Sequence, residues 1–398
     1  MNFSKYFDWA ASSPPDEEIL KKALDLSIEC YGNPSAVHHE GKKARTAFEN
    51  ARERAANALG VKAEQVFFTS GGTESDHIPL LSVLNRESDS KGFRGRVLLS
   101  AIEHPALREQ TLLLKNLGLE IDFIQPNKNG FITAESVFSK LTKDTIFVSV
   151  MAVNNETGCV QNIKSISEAI TRFANEKRRP HFHVDCVQAA GKIPLDLNIC
   201  GVDSIALSAH KIRGPRGIGI LVLKKPIRPF LCGGGQEKNI RSGTENLFGA
   251  LAFSLCLEKY FFKNDSKNLF KYDLQKSLTD DFIKKLTLIK GCTIVPSCRA
   301  DFIQNEEENF SPYVIQVAFK GIPGNVMVRA LDAKGFSIST GSACSAKKQS
   351  RPILAAMQVS KQEQETAVRF SFGQETDKPA MENLLQAIKE VCLDFGLS

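Results

Sequence analysis

Short apolar runs that alternate with helical segments are the feature that most constrains the fold of this chain. They lie at residues 66–68, 97–99, 146–150, 182–184 and 205–207. Each run has the length of a buried strand, and most are followed by Gly, Ser, Asn or Asp and then by a helical pattern. This alternation is typical of a mostly parallel α/β sheet, which places its ligands at the carboxyl ends of the strands.

The domain organisation follows from where this alternation stops. The chain has 398 residues, enough for two or three domains, and its character changes after Asn246. We predict a large α/β domain at residues 16–254 with a mostly parallel sheet, and a smaller α+β domain at residues 255–398. Residues 1–15 are expected to form an N-terminal segment that packs on the smaller domain.

Charge and cysteine usage exclude several classes of function. The formal net charge is +6, and the excess is spread along the chain without the aromatic or helical motifs of a nucleic-acid site. The ten cysteines form no CxxC pair, so we predict no metal site. The sequence has no apolar stretch long enough to span a bilayer, and we expect a cytoplasmic protein with reduced thiols, bound to neither nucleic acid nor membrane.

The segment 203–219 carries the strongest chemical signal. An apolar strand ends at Ser208, His210 and Lys211 and then enters a turn rich in Gly and Pro. A lysine held there beside hydroxyl and imidazole groups suits a Schiff base with an aldehyde cofactor. Taken alone, Lys211 could equally be a solvated surface lysine before a turn.

Two further strand ends favour the chemical interpretation. Asp185 ends another strand, where its carboxylate could keep a pyridine nitrogen protonated, although it could also cap the next helix. Residues 69–75 join a strand to a helix through Gly71 and Gly72, which leaves backbone N–H groups at the helix start for a phosphate. A lysine, an acid and a glycine turn at three strand ends of one sheet together indicate a pyridoxal phosphate site.

These segments resemble the cysteine desulfurases of the class V aminotransferase superfamily, which depend on pyridoxal 5'-phosphate and have fold type I. The resemblance covers nearly the whole chain. Matching segments lie at 6–14, 32–35 with His38, 69–74, 103–104, 154–158, 185–188, 208–219, 233–237, 241–246, 341–345 and 369–371.

The resemblance implies a role for each matching residue. Lys211 would be the Schiff-base lysine, and His104 the imidazole that stacks on the cofactor ring. Asp185 would pair with the ring nitrogen, and Gln188 would contact the ring hydroxyl. The residues implied at the phosphate are Gly72, Thr73, Ser208, His210 and, from the other subunit of a homodimer, Thr244. Arg369 would bind the substrate carboxylate, helped by Asn155 beside the ring, since its planar fork suits a carboxylate.

Cys344 is the residue on which the implied activity depends. It lies in a stretch rich in Gly, Ser and Lys, which is typical of a loop, and Lys347 and Lys348 would favour its thiolate. The other cysteines are mostly flanked by apolar residues and are expected to be inert. The resemblance implies conversion of L-cysteine to L-alanine, with a persulfide on Cys344 that passes to a sulfur-acceptor protein.

Several alternatives stay open at this stage. The chain could be a selenocysteine lyase or another class V enzyme, or a non-catalytic partner subunit of a sulfur-transfer complex. The acceptor could be a scaffold for iron–sulfur cluster assembly or an enzyme of tRNA thiolation. Departures from the family pattern include Asn239 in place of a glycine, a buried Cys186 after Asp185, and Pro79, which predicts a kinked helix.

Overall fold

The computed structural model describes residues 3–85, 88–89, 92–93, 95–175, 178–262, 266–301, 308–341 and 351–397. The strands are β1 Val66–Thr69, β2 Ser88–Asp89, β3 Gly92–Phe93, β4 Arg96–Ser100, β5 Glu120–Ile124, β6 Thr145–Ser149, β7 Cys159–Val160, β8 His181–Asp185, β9 Ser204–Ser208, β10 Gly219–Leu223, β11 Cys292–Val295, β12 Asn309–Phe310, β13 Val314–Phe319 and β14 Ala367–Ser371. The helices are α1 Glu17–Glu29, α2 His39–Leu59, α3 Gly72–Leu81, α4 Pro105–Arg108, α5 Thr111–Asn116, α6 Ala134–Lys140, α7 Ile163–Ala174, α8 Leu247–Tyr260, α9 Ser266–Thr287, α10 Gly324–Ala333, α11 Pro352–Ala356, α12 Lys361–Thr366 and α13 Lys378–Asp394.

A seven-stranded sheet forms the centre of the larger part of the molecule. Its strand order is β1-β10-β9-β8-β6-β4-β5. β10 runs antiparallel to β1 and β9, and the remaining pairs are parallel. Strands β1, β6, β9 and β10 are buried along their whole length, as expected when helices cover both faces of a sheet. The predicted mostly parallel α/β sheet is confirmed.

Helix α2 shows how local sequence produces this packing. Its buried residues include Ala44, Phe48, Ala51 and Ala55, whose spacing of three or four places them on one face. The helix ends at Gly60, whose φ of 70° is a left-handed conformation that glycine adopts without steric cost. This apolar face packs against α8, so α8 belongs to the core of the large sheet.

The smaller part contains a three-stranded antiparallel sheet, in the order β11-β13-β14, with helices α9, α10 and α13. Its core has its own set of apolar side chains, including Phe282, Phe319 and Leu384. Phe7 from the N-terminal segment packs into this core, and the backbone of that segment pairs with Ser337 and Ser371.

The predicted division at residues 254 and 255 falls inside α8. The last turns of this helix, with Cys256, Leu257 and Tyr260, pack in the core of the large sheet, and Phe262 is the first residue after it to pack in the smaller core. The boundary between the two hydrophobic cores therefore lies between Phe261 and Phe262, just after the end of α8.

The structure also describes the three positions at which the sequence departs from the family pattern. Asn239 has a φ of 68°, as expected where a glycine is usual. Cys186 is buried. Pro79 lies near the end of α3, which continues to Leu81, so the phosphate-facing start of the helix lies two turns away from it. Within the described residues, no helix has the length and apolar composition to cross a membrane, and no cluster of His, Cys, Asp or Glu is arranged to hold a metal ion.

Candidate active site

A cavity of about 210 Å³ lies at the carboxyl ends of the central strands. The predicted site residues that line it are Gly72, Thr73, His104, Asn155, Asp185, Gln188, Ser208, His210, Lys211 and Arg369. Thr244 is exposed and lies outside the cavity, and Cys344 falls outside the described residues. The residues of the central sheet meet because parallel strands end at one edge of a sheet, and Arg369 joins them from β14 of the smaller sheet.

Lys211 occupies a tight turn directly after β9. Its amine donates hydrogen bonds to the backbone carbonyls of Ala10 and Ala11, at 2.7 and 2.8 Å. The turn needs Gly214, since a Cβ there would stand 2.7 Å from the Cβ of Ala209. The hydroxyl of Ser13 bonds the carbonyl of Lys211 at 2.7 Å. The amine is therefore held at the cavity wall by the N-terminal segment.

His104 caps helix α4 and lines the same cavity. Its Nδ1 accepts a hydrogen bond from the backbone N–H of Ala106 at 3.2 Å, so in the neutral ring Nε2 carries the proton. Burial, and then the nearby Lys211, lower the pKa of His104 to about 4. At neutral pH the ring is an uncharged aromatic surface, which suits stacking on another ring.

Asp185 ends β8 in a group of buried carboxyls. One of its oxygens accepts the N–H of Val187 at 2.8 Å. Burial, and then the neighbouring Asp76, raise the pKa of Asp185 to about 7. Burial also raises the pKa of Glu103, to about 8, and that of Asp76. A cationic ring nitrogen beside Asp185 would favour the ionised form of this buried carboxyl and would itself be stabilised by it.

The turn that joins β1 to α3, residues 69–73, is here called the glycine turn. Gly71 has a φ of 156°, and a Cβ on Gly72 would stand 2.8 Å from Val187. The turn also touches the start of β10, where a Cβ on Gly219 would stand 2.6 Å from the backbone of Gly71. These close approaches place the first turn of α3 at the cavity, and the N-terminus of a ten-residue helix attracts an anion.

Arg369 lies on β14 and is 2% exposed. Its Nη1 donates to the carbonyl of Asn155 at 2.9 Å, and its Nη2 pairs with Asp8 at 2.7 Å. Among the described residues, no hydrogen-bond partner is found for two buried polar atoms here: the Nε of Arg369 and the side-chain oxygen Oδ1 of Asn155. An orphaned donor and an orphaned acceptor on one cavity are the groups that a polar ligand would satisfy.

A model of the aminotransferase class-V family matches residues 5–384. The chain belongs to this family. It is 33% identical over 389 residues to the cysteine desulfurase IscS of Dictyoglomus turgidum, covering 97% of this chain and 94% of the relative. A solved NifS-like protein shares 30% identity with a TM-score of 0.85, covering 98% of this chain and 99% of that one. SspA, solved in complex with cysteine, shares 26% identity with a TM-score of 0.76, covering 94% and 100%.

In this class-V fold, the N-terminal segment forms part of the cavity wall, a role that the sequence analysis missed. The carbonyl of Ala10 accepts hydrogen bonds from both Lys211 and, at 2.9 Å, Gln188. Asp8 pairs with Arg369. The matched motif at 6–14 was a signal for this position, but the contacts depend on backbone carbonyls, which have no sequence signature.

A second feature that the sequence did not reveal is a hydrogen-bonded chain of side chains through the sheet. Asp76 lines the cavity and contacts Nε2 of His183 at 3.1 Å. Nδ1 of His183 contacts the Ser204 hydroxyl at 2.8 Å, which in turn contacts Nε2 of His181 at 2.7 Å. His183 is fully buried, and burial lowers its pKa to about 4. This hydrogen-bonded series of side chains connects Asp76 at the cavity floor to the partly exposed imidazole of His181.

The buried imidazoles yield a prediction about pH. Burial lowers the pKa of His104 and His183 to about 4 and that of His210 to about 3. In ¹⁵N-histidine NMR of the folded protein, these three rings should stay neutral from pH 8 to about 5.5, whereas in the urea-unfolded chain histidines titrate near pH 6.5. The unfolded chain binds these protons first, so each ring reduces stability as the pH falls from about 6.5 towards 4. Titration of the folded rings near pH 6.5 would contradict this account.

Proposed function

We propose that this chain is a pyridoxal phosphate-dependent cysteine desulfurase that converts L-cysteine to L-alanine and collects the sulfur on Cys344. The observation that carries the proposal is the single cavity that brings Lys211, Asp185, His104 and Arg369 together. Family membership supports it, as do relatives named cysteine desulfurase and a solved relative complexed with cysteine.

The residues of the cavity fit pyridoxal phosphate. Glycine and hydroxyl groups at the start of α3 and after β9 suit a phosphate, and the buried carboxyl of Asp185 suits a protonated ring nitrogen. The free Oδ1 of Asn155 offers an acceptor beside the ring. Lys211 would hold the aldehyde carbon of the cofactor. The bound cofactor would supply an electron sink for the bond changes at the substrate Cα and Cβ.

The protein side chains then have separate tasks. Arg369 binds the α-carboxylate of L-cysteine through its buried guanidinium, which fixes the orientation of the Cα–H bond. The amine of Lys211 moves the Cα proton, acting as a base and then as an acid. The uncharged His104 covers the ring and keeps water away from it.

Sulfur transfer requires a thiolate, which we assign to Cys344. The thiolate sulfur attacks the sulfur of the substrate; an S–S bond forms, the bond from Cβ to sulfur breaks, and Cβ gains a proton. L-cysteine and the enzyme thiol thus become L-alanine and an enzyme persulfide, so atoms and electrons balance. A thiolate is needed because a thiol is a weak nucleophile.

The described residues on both sides of Cys344 lie next to the cavity. The carboxylate of Glu156 pairs with Arg351 at 3.3 Å and stands 3.0 Å from the position of a Cβ on Gly341. Glu156 follows Asn155, which lines the cavity. Cys344 is three residues beyond Gly341 in the sequence. That short separation supports the assignment.

The functional unit is proposed to be a homodimer, in which Thr244 reaches the phosphate of the partner subunit. Its exposure in the single chain supports this proposal. Large apolar side chains, including Tyr31, Val37 and Leu231, are also exposed, and such residues suit burial against a second copy. A sulfur-acceptor protein, from iron–sulfur cluster assembly or tRNA thiolation, would discharge the persulfide.

One experiment tests the function directly. Purified protein is incubated with L-cysteine with and without a thiol reductant, and alanine and sulfide are measured together. With reductant, equal amounts of both are expected over many turnovers, because the reductant regenerates the thiol. Without reductant, alanine should stop near one equivalent per site. A protein that sediments as a dimer but forms no alanine would contradict the proposal.

A further inference from the structure

Arg52 and Glu237 form a buried ion pair outside the cavity, to which no role has been assigned above. Their side chains are 4% and 2% exposed, and the two carboxylate oxygens of Glu237 accept from Nη1 and Nη2 at 2.8 and 2.6 Å. Arg52 also bonds the Val66 carbonyl at 2.7 Å and both carboxylate oxygens of Glu49. All five N–H donors of the guanidinium are thereby used, an arrangement that lysine cannot reproduce.

Glu237 begins a backbone turn that is itself unfavourable. Glu237, Lys238 and Asn239 have φ values of 47°, 54° and 68°, so three consecutive residues other than glycine are left-handed. Such a run persists only where surrounding contacts impose it, and it tends to occur at functional sites. The bidentate pair with Arg52, packed against the rings of Phe48 and Phe68, supplies those contacts.

The segment from Glu237 to Arg241 holds the glycine turn on both sides. Before the turn, the N–H of Phe68 donates to Glu237 at 2.7 Å. After the turn, Arg241 pairs with Glu74 in the first turn of α3 at 3.2 Å. The same Glu74 carboxylate accepts the N–H of Ser70 inside the turn. We call Arg52, Glu237, Arg241 and Glu74 the clamp.

We propose that the clamp positions the glycine turn for the phosphate of the cofactor, so that Arg52 and Glu237 act on phosphate affinity without touching the cavity. The inference rests on the proposed function, because it takes pyridoxal phosphate as the ligand. Its physical basis is preorganisation: an anion gains most from N–H groups that are already aligned when it arrives.

The test compares two ligands that differ by the phosphate alone. Full-length protein is freed of cofactor, and its dissociation constants for pyridoxal phosphate and for pyridoxal are measured by the absorbance of the bound aldehyde. The dissociation constant for pyridoxal divided by that for pyridoxal phosphate reports the contribution of the phosphate. In Glu237→Gln and Arg241→Gln we expect this ratio to fall about 10-fold or more, with pyridoxal binding nearly unchanged. Inorganic phosphate should compete more weakly with pyridoxal phosphate in the same variants.

Glu49→Gln is the matched control. It removes a carboxylate from the same Arg52, but Glu49 is half exposed and makes no bond to the turn, so the ratio should stay at the wild-type value. If Glu237→Gln does not fold, Arg241→Gln decides the question, because Arg241 is more exposed. Folded variants that weaken the binding of both ligands equally, or of neither, would overturn the proposed role of the clamp and leave the proposed function standing. A wild-type protein that binds neither ligand would overturn the proposed function and the clamp with it.

Discussion

Replacing Cys344 by serine is expected to reduce alanine formation from L-cysteine by more than about 100-fold while leaving cofactor binding intact. A hydroxyl at this position is a much poorer nucleophile towards sulfur than a thiolate. The cavity residues Lys211, Asp185 and Arg369 are unchanged in the variant. The absorption change caused by adding L-cysteine should therefore persist, although turnover is lost. Alanine and the cofactor spectrum are measured on the same samples.

Mass spectrometry locates the sulfur independently. After exposure of the wild-type protein to L-cysteine, added sulfur should appear on the tryptic peptide that contains Cys344. Cys200 and Cys232 are exposed and serve as accessible controls, whereas burial raises the pKa of Cys256 to about 12 and keeps it protonated. With selenocysteine the variant should lose less activity, because selenium can leave without transfer to a thiol. Undiminished alanine production by Cys344→Ser, or a persulfide on another cysteine, would exclude the mechanism.

Replacing Lys211 by alanine is expected to give the other large effect, a loss of alanine formation of at least about 1,000-fold. The wild-type protein should be yellow, with an absorption band from the cofactor bound at Lys211. That band should disappear in Lys211→Ala or shift to that of the free aldehyde. The reason is that, in the proposed mechanism, the amine both holds the cofactor and moves the Cα proton.

Two controls separate this chemical loss from unfolding. Lys140→Ala removes an amine paired with Asp122 on the surface and should leave the band and the rate unchanged. The thermal transition of Lys211→Ala should remain cooperative, since the substitution leaves the turn at Gly214 and the hydrogen bond from Ser13 to the backbone carbonyl at position 211 in place. If Lys211→Ala retained both the bound-cofactor band and the activity, another lysine would be the attachment site. The buried Lys192 beside Gln188 would then be examined first.

The mostly parallel sheet could be predicted, and the main site residues could be placed at its edge, because both inferences depend on short-range sequence patterns. Apolar runs such as 205–207 indicate strands, and polar residues that follow them, such as Lys211, fall at the shared edge of the sheet. The alignment of motifs then added Arg369 and Asn155, whose position depends on packing between the two parts of the molecule. Their placement on one cavity agrees with that expectation.

The contacts that escaped prediction are those between residues far apart in sequence. Nothing near Asp76 indicates that it meets His183, 107 residues later, or that Glu237 will pair with Arg52. A buried acid and a surface acid look alike in sequence, since burial depends on what the completed fold places over them. The change of core after Phe261 was placed a few residues too early, inside α8, for a related reason: a helix can belong to one core while the residues just after it belong to another.

The position of the N-terminal segment has a consequence for how the protein is made. Residues 7–10 leave the ribosome long before Ser337, Arg369 and Ser371, with which they pair. Contacts between such distant residues form late, because the intervening chain must first be ordered. The wall of the cavity at Ala10 can therefore close only after residues 337–371 have emerged and folded. A nascent chain that ends before β14 is consequently expected to lack a complete cavity, and cofactor binding is expected only after that point.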